Sequence, residues 1–501
     1  MDDIEDLAAA LPDSRGGDNE GYISAVRVHR EAKGKEEVED NADGNTNDGT
    51  ARVPGQAKIW SKTFGCSHNV SDGEYMEGAL ESYGYDMVQD RDAADLWLIN
   101  SCTVKDPSQA AFLHLVQAAR KEGKGVVVSG CVPQADRNLK GLEGVSMLGV
   151  TQIDRIVDVV EQTLDGASVR LLGKKALPRL DMPKVRKNKL VEIVPLSTGC
   201  LGSCTYCKTK HARGKLGSYD PDAIVDRVAS VLQEAEAAKE TPGLLTPKEV
   251  WLASEDTGAY GIDLKTNLPT LLERLTGLLE ERAGPDTMLR LGMTNPPFIL
   301  AHLDRLSAAL RHDNMFRFLH IPVQSGSNNV LLGMNREYTV EQFCLVADFM
   351  AKNVPGITLS TDIICGFPGE TDEDFEETLR LVEKYKFPVL NISQFYPRPG
   401  TPAAKMQRVP TQVAKDRSRR LSALFESYEP FQHLVGLREP CWVSDEVSKD
   451  GTQTIAHTRS YAKVAITPRD DTLKGKRVMV DILAAHKFHV DAQLADKENA
   501  P

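Results

Sequence analysis

Gly199-Cys200-Leu201-Gly202-Ser203-Cys204-Thr205-Tyr206-Cys207 is the stretch that decides how this chain is read. Three cysteines spaced C-x3-C-x2-C come directly after residues 191–196, an apolar, β-branched run that reads as a buried strand. Three thiolates so close together can hold three irons of a 4Fe–4S cluster and leave the fourth iron without a protein ligand. An amino acid can chelate that open iron through its amine and carboxylate. Zinc fingers instead pair short two-cysteine elements and close a tetrahedron, which this spacing does not do.

Outward from the triplet, strand and helix alternate. Strands are expected at residues 191–196, 250–253, 288–292, 316–322, 357–364 and 390–395, with helices between them, for example at 221–237 and 340–352. Six such units over 191–430 predict a partial (β/α)6 barrel of the TIM type, with its chemistry at the C-terminal ends of the strands. On the N-terminal side, residues 58–64, 95–100, 125–129 and 145–150 alternate with helical stretches at 71–83 and 108–121. That pattern predicts a parallel α/β domain over 58–172. On the C-terminal side, a charged helix at 412–428 leads to short strands at 440–445, 452–457, 462–467 and 477–483. They predict a small β-barrel over 431–490, of a size used for RNA binding. Residues 491–501 are expected to be a polar, frayed tail.

Composition narrows the class. The chain has 501 residues, 41% hydrophobic and 26% charged, a soluble globular balance that excludes a wholly disordered chain or a fibre. No apolar run is long enough to span a membrane. Nine cysteines are too few for a disulfide scaffold and fit reduced thiols, so a cytoplasmic or nuclear location is expected. Of the net charge of −12, residues 1–57 carry −8, from 14 acidic and 6 basic side chains. This acidic leader, poor in aromatics, is expected to be disordered. Residues 173–190 form a basic linker in which Lys174, Lys175, Arg179, Lys184, Arg186, Lys187 and Lys189 face one acid, Asp181. It reads either as a solvated linker or as a strip that tracks phosphates. A second cationic group, Lys208, Lys210, Arg213 and Lys215, favours a polyanionic partner.

The triplet resembles the signature of the radical S-adenosylmethionine superfamily. There a 4Fe–4S cluster donates an electron and cleaves the cofactor to a 5′-deoxyadenosyl radical. By that resemblance Tyr206 stands where an aromatic packs against the adenine. Three further cysteines share one address: Cys66, Cys102 and Cys131 each follow a strand of the N-terminal domain. Residues just beyond the carboxyl ends of parallel strands converge on one crevice, so the three thiols can meet there. They are read as the ligands of a second 4Fe–4S cluster, again with one open iron. Cys344, Cys365 and Cys441 lack partner spacing and are read as core thiols.

A three-cysteine domain, a radical barrel and a C-terminal RNA-binding barrel (TRAM) together resemble the methylthiotransferase family over residues 58–485. Two stretches, from Gly65 to Glu74 and from Cys204 to Gly214, look like the eukaryotic and archaeal branch. That branch acts on N6-threonylcarbamoyladenosine beside the tRNA anticodon. The resemblance implies methylthiolation of C2 of that adenosine at position 37, two 4Fe–4S clusters, two roles for S-adenosylmethionine, and an electron donor and a sulfur source as partners. It further implies Glu255 at the cofactor's ammonium, Asn295 and Gln324 in the cofactor site, and Arg336 near the cofactor carboxylate. Lys208, Lys210 and Arg213 are read as substrate contacts. Arg213 is the candidate for the threonylcarbamoyl carboxylate, since a guanidinium can pair both oxygens. In the last module Arg459, Tyr461 and Lys463 are expected to contact RNA. Relative to animal members the chain lacks a hydrophobic C-terminal tail, so anchoring at the endoplasmic reticulum is not expected. The alternatives are the same chemistry on isopentenyladenosine or a ribosomal-protein aspartate, or a non-catalytic iron–sulfur RNA-binding protein.

Overall fold

The computed structural model describes residues 53–103, 106–241 and 243–495. Residues 1–52 and 496–501, which hold most of the expected leader and half of the expected tail, lie outside the described residues.

Six parallel strands form the first sheet: β1 (Lys58–Thr63), β2 (Asp86–Met87), β3 (Leu96–Ser101), β4 (Gly125–Gly130), β5 (Ser146–Leu148) and β6 (Arg170–Leu171). Their spatial order is β2-β1-β3-β4-β5-β6. Every residue of β3 is buried, as a parallel strand covered on both faces requires. The covering helices are α1 (Ser67–Tyr83), α2 (Asp106–Lys121), the short α3 (Cys131–Ala135) and α4 (Ile156–Leu164). The ordered chain begins earlier than expected. Gly55 N donates to Glu161 Oε1 at 3.1 Å and Ala57 joins the core, so both belong to the domain rather than to the leader.

Helix α1 starts four residues before the sequence suggested. It is buried on nearly every side, through His68, Asn69, Ser71, Asp72, Glu74 and Glu77 as well as its apolar residues, which erases the amphipathic signal. Two glycines allow that close packing. A Cβ at Gly73 would meet Thr63 Oγ1 at 2.4 Å, and one at Gly78 would meet Pro183 O at 2.4 Å.

The next element is β7 (Val191–Pro195), followed by a small hairpin of β8 (Ser197–Thr198) and β9 (Gly217–Ser218), with the one-turn helix α5 (Thr209–Arg213) between them. Then come β10 (Glu249–Ala253), β11 (Met288–Leu291), β12 (Phe318–His320), β13 (Thr358–Cys365) and β14 (Val389–Gln394). They make two parallel three-stranded sheets, β7-β10-β11 and β12-β13-β14. Phe316 N donates to Leu289 O at 2.9 Å, and Leu289 N donates to Asn314 O at 2.7 Å. Those bonds join the sheets, so six strands follow one another in sequence order around one apolar core. The helix Asp372–Tyr385 opens with the capping box expected from Thr371 and Asp374. No helix among the described residues is long and apolar enough to cross a membrane.

The last module is a closed antiparallel barrel with one parallel pair, ordered β15-β16-β17-β19-β18. Its strands are β15 (Arg438–Val447), β16 (Thr454–Thr458), β17 (Lys463–Ile466), β18 (Arg477–Ala485) and β19 (Val490–Leu494). Strand β19 corrects the sequence reading, which placed a frayed tail from residue 491. Val490 and Ala492 enter the barrel core while β19 pairs with both β17 and β18. Its short alternation with Asp491 and Gln493 looks like tail until the closing partners are known.

The basic linker also departs from expectation. Lys184 and Arg186 are not free to track phosphates. Lys184 Nζ lies 3.2 Å from Glu74 and 3.0 Å from Glu192, and Arg186 pairs with Glu192 and Glu234. Arg179 and Lys175 pair with Asp181 and Asp154. Burial alone would push the Glu192 carboxyl up, but Lys184, Arg227 and Arg186 around it outweigh this and hold it at about 2. Its stabilisation is therefore complete above its ordinary value of 4.5 and is lost as pH falls towards 2. Glu192→Gln removes the buried charge shared by Lys184, Arg186 and Arg227, of which the first two keep Glu74 and Glu234, and is expected to cost about 3 kcal/mol at neutral pH. Thermal unfolding of both proteins between pH 7 and pH 3 checks this, and the deficit should shrink below pH 4.5.

Candidate active site

Cys200, Cys204 and Cys207 lie in the loop that leaves β8, at the C-terminal end of the central barrel. A Cβ at Gly202 would sit 3.5 Å from Cys200 Sγ and 3.8 Å from Cys204 Sγ, so the loop wraps the thiols around a residue without a side chain. Thr209 N donates to Cys207 Sγ at 3.4 Å, and Arg336 Nη1 donates to Cys204 Sγ at 3.3 Å.

The other three cysteines converge as expected. Cys66 caps α1, Cys102 follows β3 and Cys131 opens α3. The Cys66 thiol feels both Cys102 and Cys131, and a Cβ on Gly65 would strike Cys102 Sγ at 2.6 Å. Burial pushes the Cys131 thiol up to about 12, with Arg213 opposing it, and burial pushes Cys200 up to about 12. Protonated thiols crowded together gain nothing from one another. A cationic metal centre removes their protons and reverses that balance, so both donor sets fit iron–sulfur clusters.

Arg336 organises the space beside the first triplet. It donates to the Asn295 Oδ1, to Tyr338 OH at 3.0 Å and to Tyr206 OH at 3.4 Å. Asn295 Nδ2 in turn donates to Asp256 Oδ2 at 2.7 Å. Burial pushes the Asp256 carboxyl up to about 6, although Asn295 hydrogen-bonds to it. Tyr206 also meets Phe367 edge-on at 6.3 Å. Gln324 lies four residues past β12, bridged to Ile363, with a left-handed backbone at φ 70. Buried Gln324 Oε1, Thr294 Oγ1 and Ser254 Oγ have no hydrogen-bond partner among the described residues. Orphaned polar groups in the segments that follow β10, β11 and β12, together with the Arg336–Asn295 pair, fit the amino-acid and ribose groups of S-adenosylmethionine.

Glu255 is not in this group. Its carboxylate lies 2.9 Å from His68 Nδ1 and 3.3 Å from Arg213 Nε, on the side facing the N-terminal domain. Burial would push it up, but His68 and Arg213 hold it below the usual carboxylate range. At the bend that follows β10, Glu255 faces His68 and Arg213 while Asp256 faces Asn295. Asp256 is the residue that sequence reasoning passed over, although it stood next to the one chosen.

The expected substrate cations divide. Arg213, with a side chain 2% exposed, is taken up by Asp72, Asn69, His68 and Glu255 and hydrogen-bonds to Cys131 as well, so it is closed to an external carboxylate. Lys210 holds Leu201 O, Gly202 O and Ser203 Oγ and so braces the cysteine loop. Lys208 holds Pro399 O at 2.7 Å and has no carboxylate partner among the described residues, so it remains available to a substrate. Arg398, not singled out from sequence, donates to Thr103 O beside Cys102, and Asp362, which His320 Nε2 meets at 2.9 Å, also feels Arg336. Two of the three expected RNA contacts of the last module turn inward, and Lys463 stays half-exposed. Tyr461 is buried against Phe316 and Phe318 and stacks on His457 at 4.4 Å. Arg459 donates to Arg311 O and His312 O. Lys463 pairs with Glu446. The first two bind the last module to the central barrel.

The fold and site define a radical S-adenosylmethionine protein carrying an extra three-thiol domain. Residues 194–382 match the Radical SAM superfamily and residues 58–147 match Uncharacterized protein family UPF0004. A human threonylcarbamoyladenosine tRNA methylthiotransferase is 49% identical, covering 98% of this chain and 83% of its own length. A probable archaeal one from Pyrococcus abyssi is 37% identical, covering 82% and 93%. The radical S-adenosylmethionine methyltransferase TsrM from Kitasatospora setae shares the fold, with a TM-score of 0.51 at 14% identity over 70% of this chain and 77% of that one. The chain belongs to the threonylcarbamoyladenosine tRNA methylthiotransferase family.

Proposed function

We propose that this protein replaces the C2 hydrogen of N6-threonylcarbamoyladenosine at position 37 of tRNA with a methylthio group. The observation that carries this reading is the approach of two separate three-thiol sets to one interface, in a chain with the family membership given above. Bound there, two 4Fe–4S clusters and S-adenosylmethionine supply one-electron reduction, a hydrogen-abstracting radical and the methylthio group. The chain's own residues position. Cys200, Cys204 and Cys207 hold one cluster, and Cys66, Cys102 and Cys131 the other. Arg336, Asn295, Gln324 and Tyr206 bind the cofactor, with Asp256 taking the place expected of Glu255. Lys208 offers a cation to the threonylcarbamoyl carboxylate, a group isopentenyladenosine lacks, which favours the first substrate over the second. An electron donor and a sulfur source complete the reaction.

Mass spectrometry of tRNA nucleosides from cells lacking this protein tests the reading. The 2-methylthio derivative of N6-threonylcarbamoyladenosine should disappear while its unmethylthiolated precursor accumulates. Loss of a methylthiolated isopentenyladenosine instead would overturn the assignment.

A further inference from the structure

One buried arginine joins the loops that carry the two cysteine sets. Arg213 ends α5, which begins two residues after Cys207. Its Nη2 donates to Asp72 Oδ2 at 2.6 Å and to Asn69 Oδ1 at 3.3 Å, Nη1 lies 3.2 Å from His68 Nε2, and Nε lies 3.3 Å from Glu255. His68, Asn69 and Asp72 occupy the first two turns of α1, the helix that Cys66 caps. Glu255, two residues past β10, clamps His68 from the other side.

The contacts continue to a cysteine in each direction. Asn69 Nδ2 donates to Ser101 O at 3.2 Å, the carbonyl immediately before Cys102. Cys200 N donates to Gly214 O at 3.2 Å, immediately after Arg213. Helix α3, which Cys131 opens, packs on α5 itself. The Arg213 set thus ties the first sheet to the central barrel beside the cysteines, while the Lys184–Glu74 pair and Val70 against Val191 and Ile193 tie them further along α1.

We propose that Arg213 is a positioning residue that fixes the separation and orientation of the two thiol sets, and thereby couples cofactor cleavage to methylthio transfer. A cation buried with two carboxylates and a histidine is a poor device for stability alone, because desolvation offsets the attraction. A planar fork bonded on three sides does enforce one geometry. Transfer between groups held on two domains is sensitive to such geometry, since a displacement of about 1 Å can cost about 100-fold in rate. The inference rests on the function proposed above.

The test compares the full-length reconstituted protein with Arg213→Gln, Arg213→Lys and Asp72→Asn. Three quantities are read: iron content, hydrogen exchange of residues 67–76 and 209–214, and methylthiolated nucleoside formed per 5′-deoxyadenosine released. Arg213→Gln should speed exchange in both segments and lower product per cleavage about 10- to 100-fold with cleavage itself retained. Arg213→Lys, which keeps the charge and loses the fork, should fall between. Asp72→Asn should shift the same quantities by less, and it carries the comparison if Arg213→Gln fails to hold iron. An unchanged ratio at full iron, or equal falls in cleavage and product, overturns the coupling role. Exchange that rises in one segment alone overturns the latch between them. If the wild type forms no methylthiolated nucleoside, the proposed function falls, while the exchange measurement still decides the latch.

Discussion

Replacing Cys66, Cys102 and Cys131 together with alanine is expected to halve the iron of the reconstituted protein, from about eight atoms per chain to about four. Cofactor cleavage should persist and methylthiolated product should vanish. The reason is spatial. The three thiols sit among the strand ends of the first sheet, whereas Arg336, Asn295 and Asp256 gather beside Cys204 and Cys200 in the central barrel. Nothing in the second group depends on a thiol of the first. Iron analysis and quantified 5′-deoxyadenosine check both halves of the statement. Full iron content with lost cleavage would reverse the division of labour between the two sets.

Arg336→Ala is expected to produce the second large effect, a fall in cofactor cleavage of about 100- to 1000-fold, the range for removing a preorganised donor. Its guanidinium makes most of the polar contacts that hold Asn295, Tyr206 and Tyr338 together, and one nitrogen reaches Cys204 Sγ at 3.3 Å. Truncation also removes the partner of Asn295 Oδ1 and of Tyr206 OH, at a cost of about 1–3 kcal/mol for each that water does not relieve, whereas Tyr338 OH keeps Pro322 O and Val323 O. Binding of S-adenosylmethionine by equilibrium dialysis, together with the melting temperature, separates the two consequences. Lower stability with cleavage at the wild-type rate would reduce Arg336 to a strut.

Much of the fold is legible because it is written locally. Strand β1 alternates apolar and polar residues, β3 and β4 are largely apolar runs, and the helix Pro221–Ala237 opens with Asp220 and proline, so the strands and the start of the helix can be read from neighbours. Helix α1 and strand β19 were misjudged for the opposite reason. The polar residues of α1 are buried by another domain, and β19 is a strand only because β17 and β18 flank it. Local pattern carries no record of either neighbour.

The candidate site divides in the same way. By itself the sequence determined which six cysteines form two sets, since C-x3-C-x2-C is a contiguous spacing and residues 66, 102 and 131 each follow a strand whose period can be read. Only the tertiary structure decided what the nearby charges do. Arg213 was available to a substrate until Asp72, 141 residues earlier, occupied it. Tyr461 reads as an RNA contact until Phe316 covers it, and Glu255 faces His68 and Arg213 whereas Asp256 accepts from Asn295. A thiol's chemistry travels with its spacing. The use of a charge is set by which opposite charge reaches it first once water is excluded, and that depends on chain segments far apart in sequence.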